Sequence, residues 1–172
     1  MTMLYHGTCI AGLSFIKANA KSHATGEKVA YFTEDRVYAL VCCRRPEENF
    51  VTMGIREDGK YHYYERFPNQ LEVLYANRRG YLYIVDSEKG LINTKGRTWE
   101  SDKDKVVERC EIIDDVYEAI LEEERKENVV VHRYQDIDPV EQKMHANHIK
   151  EHLDGNQAMR PFYLKNFSTL WD

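Results

Sequence analysis

An α+β domain is what this 172-residue sequence predicts, and three observations predict it. Short runs such as Met3-Leu4-Tyr5, Val29-Ala30-Tyr31-Phe32-Thr33 and Tyr81-Leu82-Tyr83-Ile84-Val85 are rich in β-branched and aromatic residues, as strands are. They mix with short helical stretches instead of alternating with them regularly, which disfavours a doubly wound α/β fold. The chain has 12 tyrosines, many alternating within strand-like runs, which suits a sheet with one partly wet face.

Each element follows in chain order. Met3-Leu4-Tyr5 forms a first strand with His6, Gly7 and Thr8 at its exit. Leu13, Phe15, Ile16 and Ala20 recur at roughly helical spacing and predict a helix over residues 10–20. Residues 21–28 are polar around Gly26, a loop. After the strand at 29–33, residues 34–43 predict a helix with Thr33 as N-cap and Glu34 and Asp35 in its first turn. Arg44 and Arg45 fall near its C-terminus and Pro46 stops it. Runs at 50–55 and 60–65 flank Asp58-Gly59, a hairpin signature. Pro68 opens a short helix reaching Tyr75. A strand at 81–85 is followed by a polar excursion over 87–105 and a further strand over 106–113. A helix runs from Asp114 or Asp115 to Glu127, with Val116, Tyr117, Ile120 and Leu121 on one face, and Val129-Val130-Val131 is one more strand. The tail is helical at first, then irregular around Pro161. The organisation expected is a domain over 1–137 and a helical or irregular extension over 138–172 packing on it.

Composition bounds the function. An apolar share of 42% and a charged share of 31% fit a soluble globular protein. No run approaches the roughly 18 apolar residues of a membrane span, and the first residues lack a basic-then-apolar signal pattern. A cytoplasmic location without membrane partners is the expectation. Cys9, Cys42, Cys43 and Cys110 show no Cys-x-x-Cys spacing and read as reduced thiols. The net charge of −5 supplies no footprint for duplex nucleic acid.

The chemistry concentrates in two strands. A histidine at a strand exit can give one ring N–H to a ligand while backbone holds the other nitrogen. Gly7 lets a flat ligand approach the main chain, and Thr8 adds a hydroxyl. Tyr31 offers a ring that stacks on or walls a planar ligand, and Thr33 a second hydroxyl. Over residues 3–43 the order and spacing of these strands resemble the ADP-ribosyltransferase superfamily. There, a strand ending in His-Gly-Thr or His-Gly-Ser and a strand ending in Tyr-Phe-Ser/Thr/Ala grip NAD. The resemblance implies a split antiparallel β-sheet with flanking short helices, NAD as substrate, and transfer of ADP-ribose to an acceptor as nicotinamide leaves. It places His6 on the adenosine ribose, the Gly7 backbone on the nicotinamide amide and Tyr31 against the nicotinamide, with Thr8 and Thr33 assisting. Many members add a second aromatic on the following helix. Here that region reads Ala39-Leu40-Val41-Cys42-Cys43, with Tyr38 one turn early. The stretch from Tyr81 to Val107 is most similar to the small rifamycin-modifying transferases.

An oxocarbenium-like transition state calls for a nearby carboxylate. Glu100, Glu108 and Glu111 are the candidates, with Glu100 ahead because it sits beside Trp99 at a loop-to-strand junction. His6, Tyr31 and Glu100 form the expected catalytic set; Ser22 and His23 lie in the pocket or on its rim loop. A protein or small-molecule acceptor is favoured over duplex nucleic acid. Two other classes remain: a non-catalytic module on the same fold that binds a nucleotide or partner, and an interaction protein using the tyrosine-rich segment 61–64. His145, His148 and His152 fall on one helix face at i, i+3 and i+7, but their polar segment reads as an exposed tail and no metal site is assigned. Residues 122–127 form a solvated, charge-laced helix face. Cys42 and Cys43 have only Arg44 and Arg45 nearby to lower a thiol pKa.

Overall fold

The computed structural model describes residues 3–45, 48, 50–86 and 90–171, with Lys95 described in its backbone alone. Chain contacts divide it into two compact units, Met1–Cys43 with Asn77–Ala119 and Arg44–Ala76 with Ile120–Asp172. In chain order the first unit holds β1 (Met3–Thr8), β2 (Phe15–Ile16), β3 (Ala20–Lys21), β4 (Lys28–Thr33) and α1 (Arg36–Val41). The second receives β5 (Thr52–Ile55), β6 (Tyr61–Tyr64) and α2 (Gln70–Tyr75). The chain returns to the first with β7 (Gly80–Asp86), β8 (Ile92–Lys95), β9 (Thr98–Ser101), β10 (Lys105–Val106) and β11 (Arg109–Ile113). Helix α3 (Val116–Arg125) then leads to β12 (Val129–His132), α4 (Pro139–Gly155) and α5 (Arg160–Asn166). The fold is α+β.

A seven-stranded antiparallel sheet dominates the first unit, ordered β11-β7-β1-β4-β9-β8 with β3 beside β4. Strand β1 is zipped to β7 over six residue pairs, from Met3↔Asp86 to Thr8↔Tyr81. Its other edge meets β4 at a single pair, Tyr5↔Thr33. The ladder therefore opens after Tyr5, and the strands part where His6 and Gly7 follow. Leu4, Ile16, Ala30, Phe32, Tyr83 and Val85 form the core cluster beside this opening. Helix α1 covers the sheet with Val37, Ala39, Leu40 and Val41 buried.

The second unit pairs β12 parallel to β6 and β5 antiparallel to it. Its core gathers Phe50, Phe67, Ile149, Leu153, Met159, Tyr163, Phe167 and Leu170. The Asp58-Gly59 turn joins β5 to β6 as the sequence predicts, with Gly59 at φ 75°, where glycine alone is unstrained.

Several expectations are corrected. Residues 10–20 are not helical: they hold β2, the start of β3 and irregular chain, and of them only Ile16 is buried. Their backbone groups are satisfied from a distance, Leu13 N by the Tyr83 hydroxyl (3.1 Å) and Ala18 N by Asp104 Oδ1 (2.9 Å), which no local pattern encodes. Beyond Gly90 the polar excursion contains the β8–β9 hairpin and β10, which the sequence pattern does not separate, with Lys105↔Ile16 and Val106↔Phe15 pairing β10 to β2. The N-cap of α1 is Asp35, whose carboxylate accepts from Val37 N and Tyr38 N; Thr33 Oγ1 accepts from Asp35 N one step earlier. The chain is not irregular around Pro161, which occupies the first turn of α5, where its missing N–H costs nothing. Tyr61 and Tyr63 are core residues, 6% and 0% exposed, so segment 61–64 cannot present all its rings to a partner. Pro46 and Ser87 lie outside the described residues.

Candidate functional site

The parted strands β1 and β4 open onto a cavity of about 530 Å³ in the first unit, a size that suits a small-molecule ligand. Tyr5, His6 and Gly7 line it from β1, and Tyr31, Phe32 and Thr33 from β4. Tyr38, Ala39 and Cys42 close one side, Thr94, Thr98 and Glu100 another, and His23 and Ala24 stand on the turn before β4. Of the predicted site residues, His6, Gly7, Tyr31, Thr33 and Glu100 thus converge from three separate segments. Thr8 is not among the lining residues; its hydroxyl accepts from Ile10 N at 3.3 Å.

His6 is not at a strand exit but within β1, at the point where the ladder opens. Its Nδ1 lies 2.9 Å from the Tyr31 carbonyl oxygen. A carbonyl can only accept, so Nδ1 carries the proton and Nε2 keeps its lone pair. The side chain thereby bonds a carbonyl of β4 beside the point where the ladder with β1 is interrupted. Its ring also lies 6.0 Å from that of Phe32. Burial pushes the imidazole below its ordinary value, although the bond to Tyr31 opposes the shift, and the neutral ring is favoured.

Gly7 has a different reason from the one its sequence context suggests. A Cβ built there meets the Ala39 carbonyl oxygen at 1.8 Å. Glycine is required so that α1 can lie directly on β1.

Tyr31 and Glu100 are cross-strand partners, paired between β4 and β9. Tyr31 is held at both ends of its hydroxyl, which donates to Lys21 O (3.1 Å) and accepts from His23 N (3.0 Å). Glu100 is 7% exposed, and its Oε2 accepts from the buried Ser22 hydroxyl at 2.9 Å. Ser22 Oγ in turn accepts from Ala24 N and Thr25 N, both at 3.2 Å. The turn at 22–25 therefore fixes both Tyr31 and Glu100. Ser22 buttresses the acid and His23 joins the wall, a division of roles that the sequence leaves open. The other acid candidates are elsewhere: Glu111 forms an ion pair with Arg36 at 2.6 Å, and Glu108 is exposed. Neither lines the cavity.

Tyr38 also reaches the cavity, although it stands one turn before the position where the resemblance calls for an aromatic. Cys42 reaches it as well. Cys43 is buried with its thiol pushed up to about 12, chiefly by that burial, which leaves it un-ionised at neutral pH. The three tail histidines have separate partners: His145 with Glu141 (3.7 Å), His148 with Arg66 (3.1 Å), and His152 edge-on to Phe50 (5.1 Å).

Family models, curated proteins and solved structures were compared with the chain, and none matches. No helix among the described residues is long and apolar enough to cross a membrane.

Proposed function

We propose that the chain is an ADP-ribosyltransferase-like protein that binds NAD in the β1/β4 cavity and transfers ADP-ribose to an acceptor. The observation that carries this reading is the convergence of His6, Gly7, Tyr31, Thr33 and Glu100 on one cavity. Neutral His6 offers Nε2 as an acceptor for a ribose hydroxyl. Tyr5, Tyr31, Phe32 and Tyr38 supply aromatic surface for the nicotinamide ring, whose positive charge such faces attract. Glu100 puts a carboxylate among them. As the glycosidic bond breaks, its electron pair goes to the nicotinamide nitrogen, which becomes neutral, and positive charge develops on the ribose. Glu100 stabilises that charge. The acceptor then forms the new bond at the ribose carbon and gives up its proton.

The test is calorimetric titration of NAD together with an assay of nicotinamide release. The wild type should bind saturably, and His6→Ala should weaken binding at least tenfold. Glu100→Gln should keep binding but lose release by about 10²–10³-fold, the usual effect of removing one electrostatic stabiliser. No binding by the wild type overturns the reading.

One observation favours a second reading, a non-catalytic binding module. Among the described residues, no Lys or Arg lines the cavity, so a diphosphate finds no cationic partner on its walls. Nucleotide binding with no nicotinamide release from the wild type identifies that case.

A further inference from the structure

In the second unit, side chains alternate along β6: Tyr61 and Tyr63 enter the core, while His62 and Tyr64 lie on the opposite face. Strand β12 pairs parallel to it in the register Val130↔His62 and His132↔Tyr64. On the shared face, His62 Nδ1 and His132 Nε2 meet head-on at 2.8 Å. His62 Nε2 lies 3.0 Å from Asp58 Oδ2, and the His132 ring is stacked on Tyr64 at 4.2 Å and 1°. Just beyond, Glu65 N donates to the His132 carbonyl at 3.0 Å, and Tyr134 N donates to Glu65 Oε2 at 3.0 Å.

These contacts fix where the protons sit. The Asp58 carboxylate only accepts, so His62 carries its proton on Nε2 and presents the Nδ1 lone pair. His132 then donates from Nε2, and its Nδ1 is a lone pair with no partner among the described residues. A first added proton goes to that Nδ1. It leaves both hydrogen bonds in place and sets a cation against the Tyr64 ring. A second has only His62 Nδ1 to go to, where it meets the Nε2–H of His132. Two donors cannot share one bond, and two imidazolium rings would stand with centroids 5.1 Å apart. The second proton therefore breaks the contact.

We propose that Asp58, His62 and His132 form a pH-sensitive latch on the end of the β6–β12 ladder, closed with no added proton or one and opened by a second. What it holds is an edge: the sheet order is β12-β6-β5, and among the described residues no strand flanks β12 on its far side. Opening frees Glu65 N from the His132 carbonyl and loosens Tyr134, where the chain turns toward α4. Burial opposes a cation on His132 most, His62 and Arg56 oppose it further, and Glu141 of α4 favours it. Asp58 favours a cation on His62, and its other carboxylate oxygen is held by Lys60 N at 3.0 Å. Coupled sites titrate as a pair, so the second proton enters at lower pH than the first and the latch opens on the acid side of neutrality.

Nitrogen-15 resonance of the full chain from about pH 7.5 to about pH 4.5, with amide exchange corrected for its intrinsic pH dependence, tests the latch. At the upper end both rings should be Nε2–H tautomers, with a coupling across the hydrogen bond between His62 Nδ1 and His132 Nε2. His132 should titrate first with that coupling kept. At the second step the coupling should vanish, and protection of the Glu65 and Tyr134 amides should fall about tenfold or more. His132→Phe keeps a ring on Tyr64 but takes no proton, so its protection should stay within about twofold across the range. Should that variant fail to fold by circular dichroism, His62→Gln takes its place. Asp58→Asn should move the opening to lower pH, because it removes the charge that favours a His62 cation. No coupling, two rings that titrate independently, or an equal loss of protection in the wild type and the histidine variant overturns the proposal.

Discussion

At Gly7 an added methyl would land 1.8 Å from the Ala39 carbonyl oxygen and 2.6 Å from its carbon, both backbone atoms that cannot swing aside. Gly7→Ala should therefore destabilise the chain by about 3 kcal/mol or more, the upper range for overpacking; denaturant unfolding measures it. A change below about 0.5 kcal/mol would mean that α1 does not lie on β1 as described. His6 makes a second prediction at this scale. Its folded pKa is below the ordinary value of 6.5, and burial lowers that of His145 likewise. Well above pH 6.5 neither the folded nor the unfolded state binds these protons. As pH falls below 6.5 the unfolded chain takes them up first, so stability is lost, by at most about 1.4 kcal/mol per pH unit per group. His6→Gln should flatten this part of the stability–pH curve. An unchanged curve would remove His6 from the linkage. The histidine and the glycine are legible in the sequence as a pair, but the reason for the glycine is not, because Ala39 is 32 positions away in a helix whose placement only the fold provides.

The turn before β4 joins the two halves of the site. Tyr31→Phe removes a hydroxyl that bonds both Lys21 O and His23 N, and it should cost about 1 kcal/mol. It should also loosen the Ser22 hold on Glu100, raising amide exchange at Ala24 and Thr25. Protection equal to the wild type would show that the turn holds without Tyr31. Elements with strong local signals are legible: β4, β7 and the Asp58-Gly59 hairpin come directly from alternation and turn chemistry. The β8–β9 hairpin is not, because its strand residues are largely polar. Ile92 is 70% exposed, and Gly96, at φ 57°, is the main turn signal. The apolar spacing across residues 10–20 misleads for the opposite reason. Leu13 and Ile16 fall at helical intervals, yet Gly12 adopts φ 72° and long-range bonds to Tyr83 and Asp104 hold the segment in a non-helical path.

Each unit of the molecule is assembled from two stretches of chain that are far apart in sequence. The core of the second depends on its last stretch, since Ile149, Leu153, Met159, Tyr163, Phe167 and Leu170 all come from beyond residue 137. Removing residues 138–172 should expose Phe50 and Phe67 and abolish cooperative unfolding of that unit. A truncated chain that keeps the near-ultraviolet dichroism of the full one would contradict this. Local sequence patterns cannot reveal such interleaving, because they report on neighbours in the chain alone. The opening between β1 and β4 has one more consequence. Continuing the Tyr5↔Thr33 register places Gly7 opposite Tyr31, at the step where the imidazole has taken the place of a peptide group. A primary carboxamide has the donor and acceptor of one peptide unit, so under the proposed function the nicotinamide amide would stand against Gly7 as a single link of strand would.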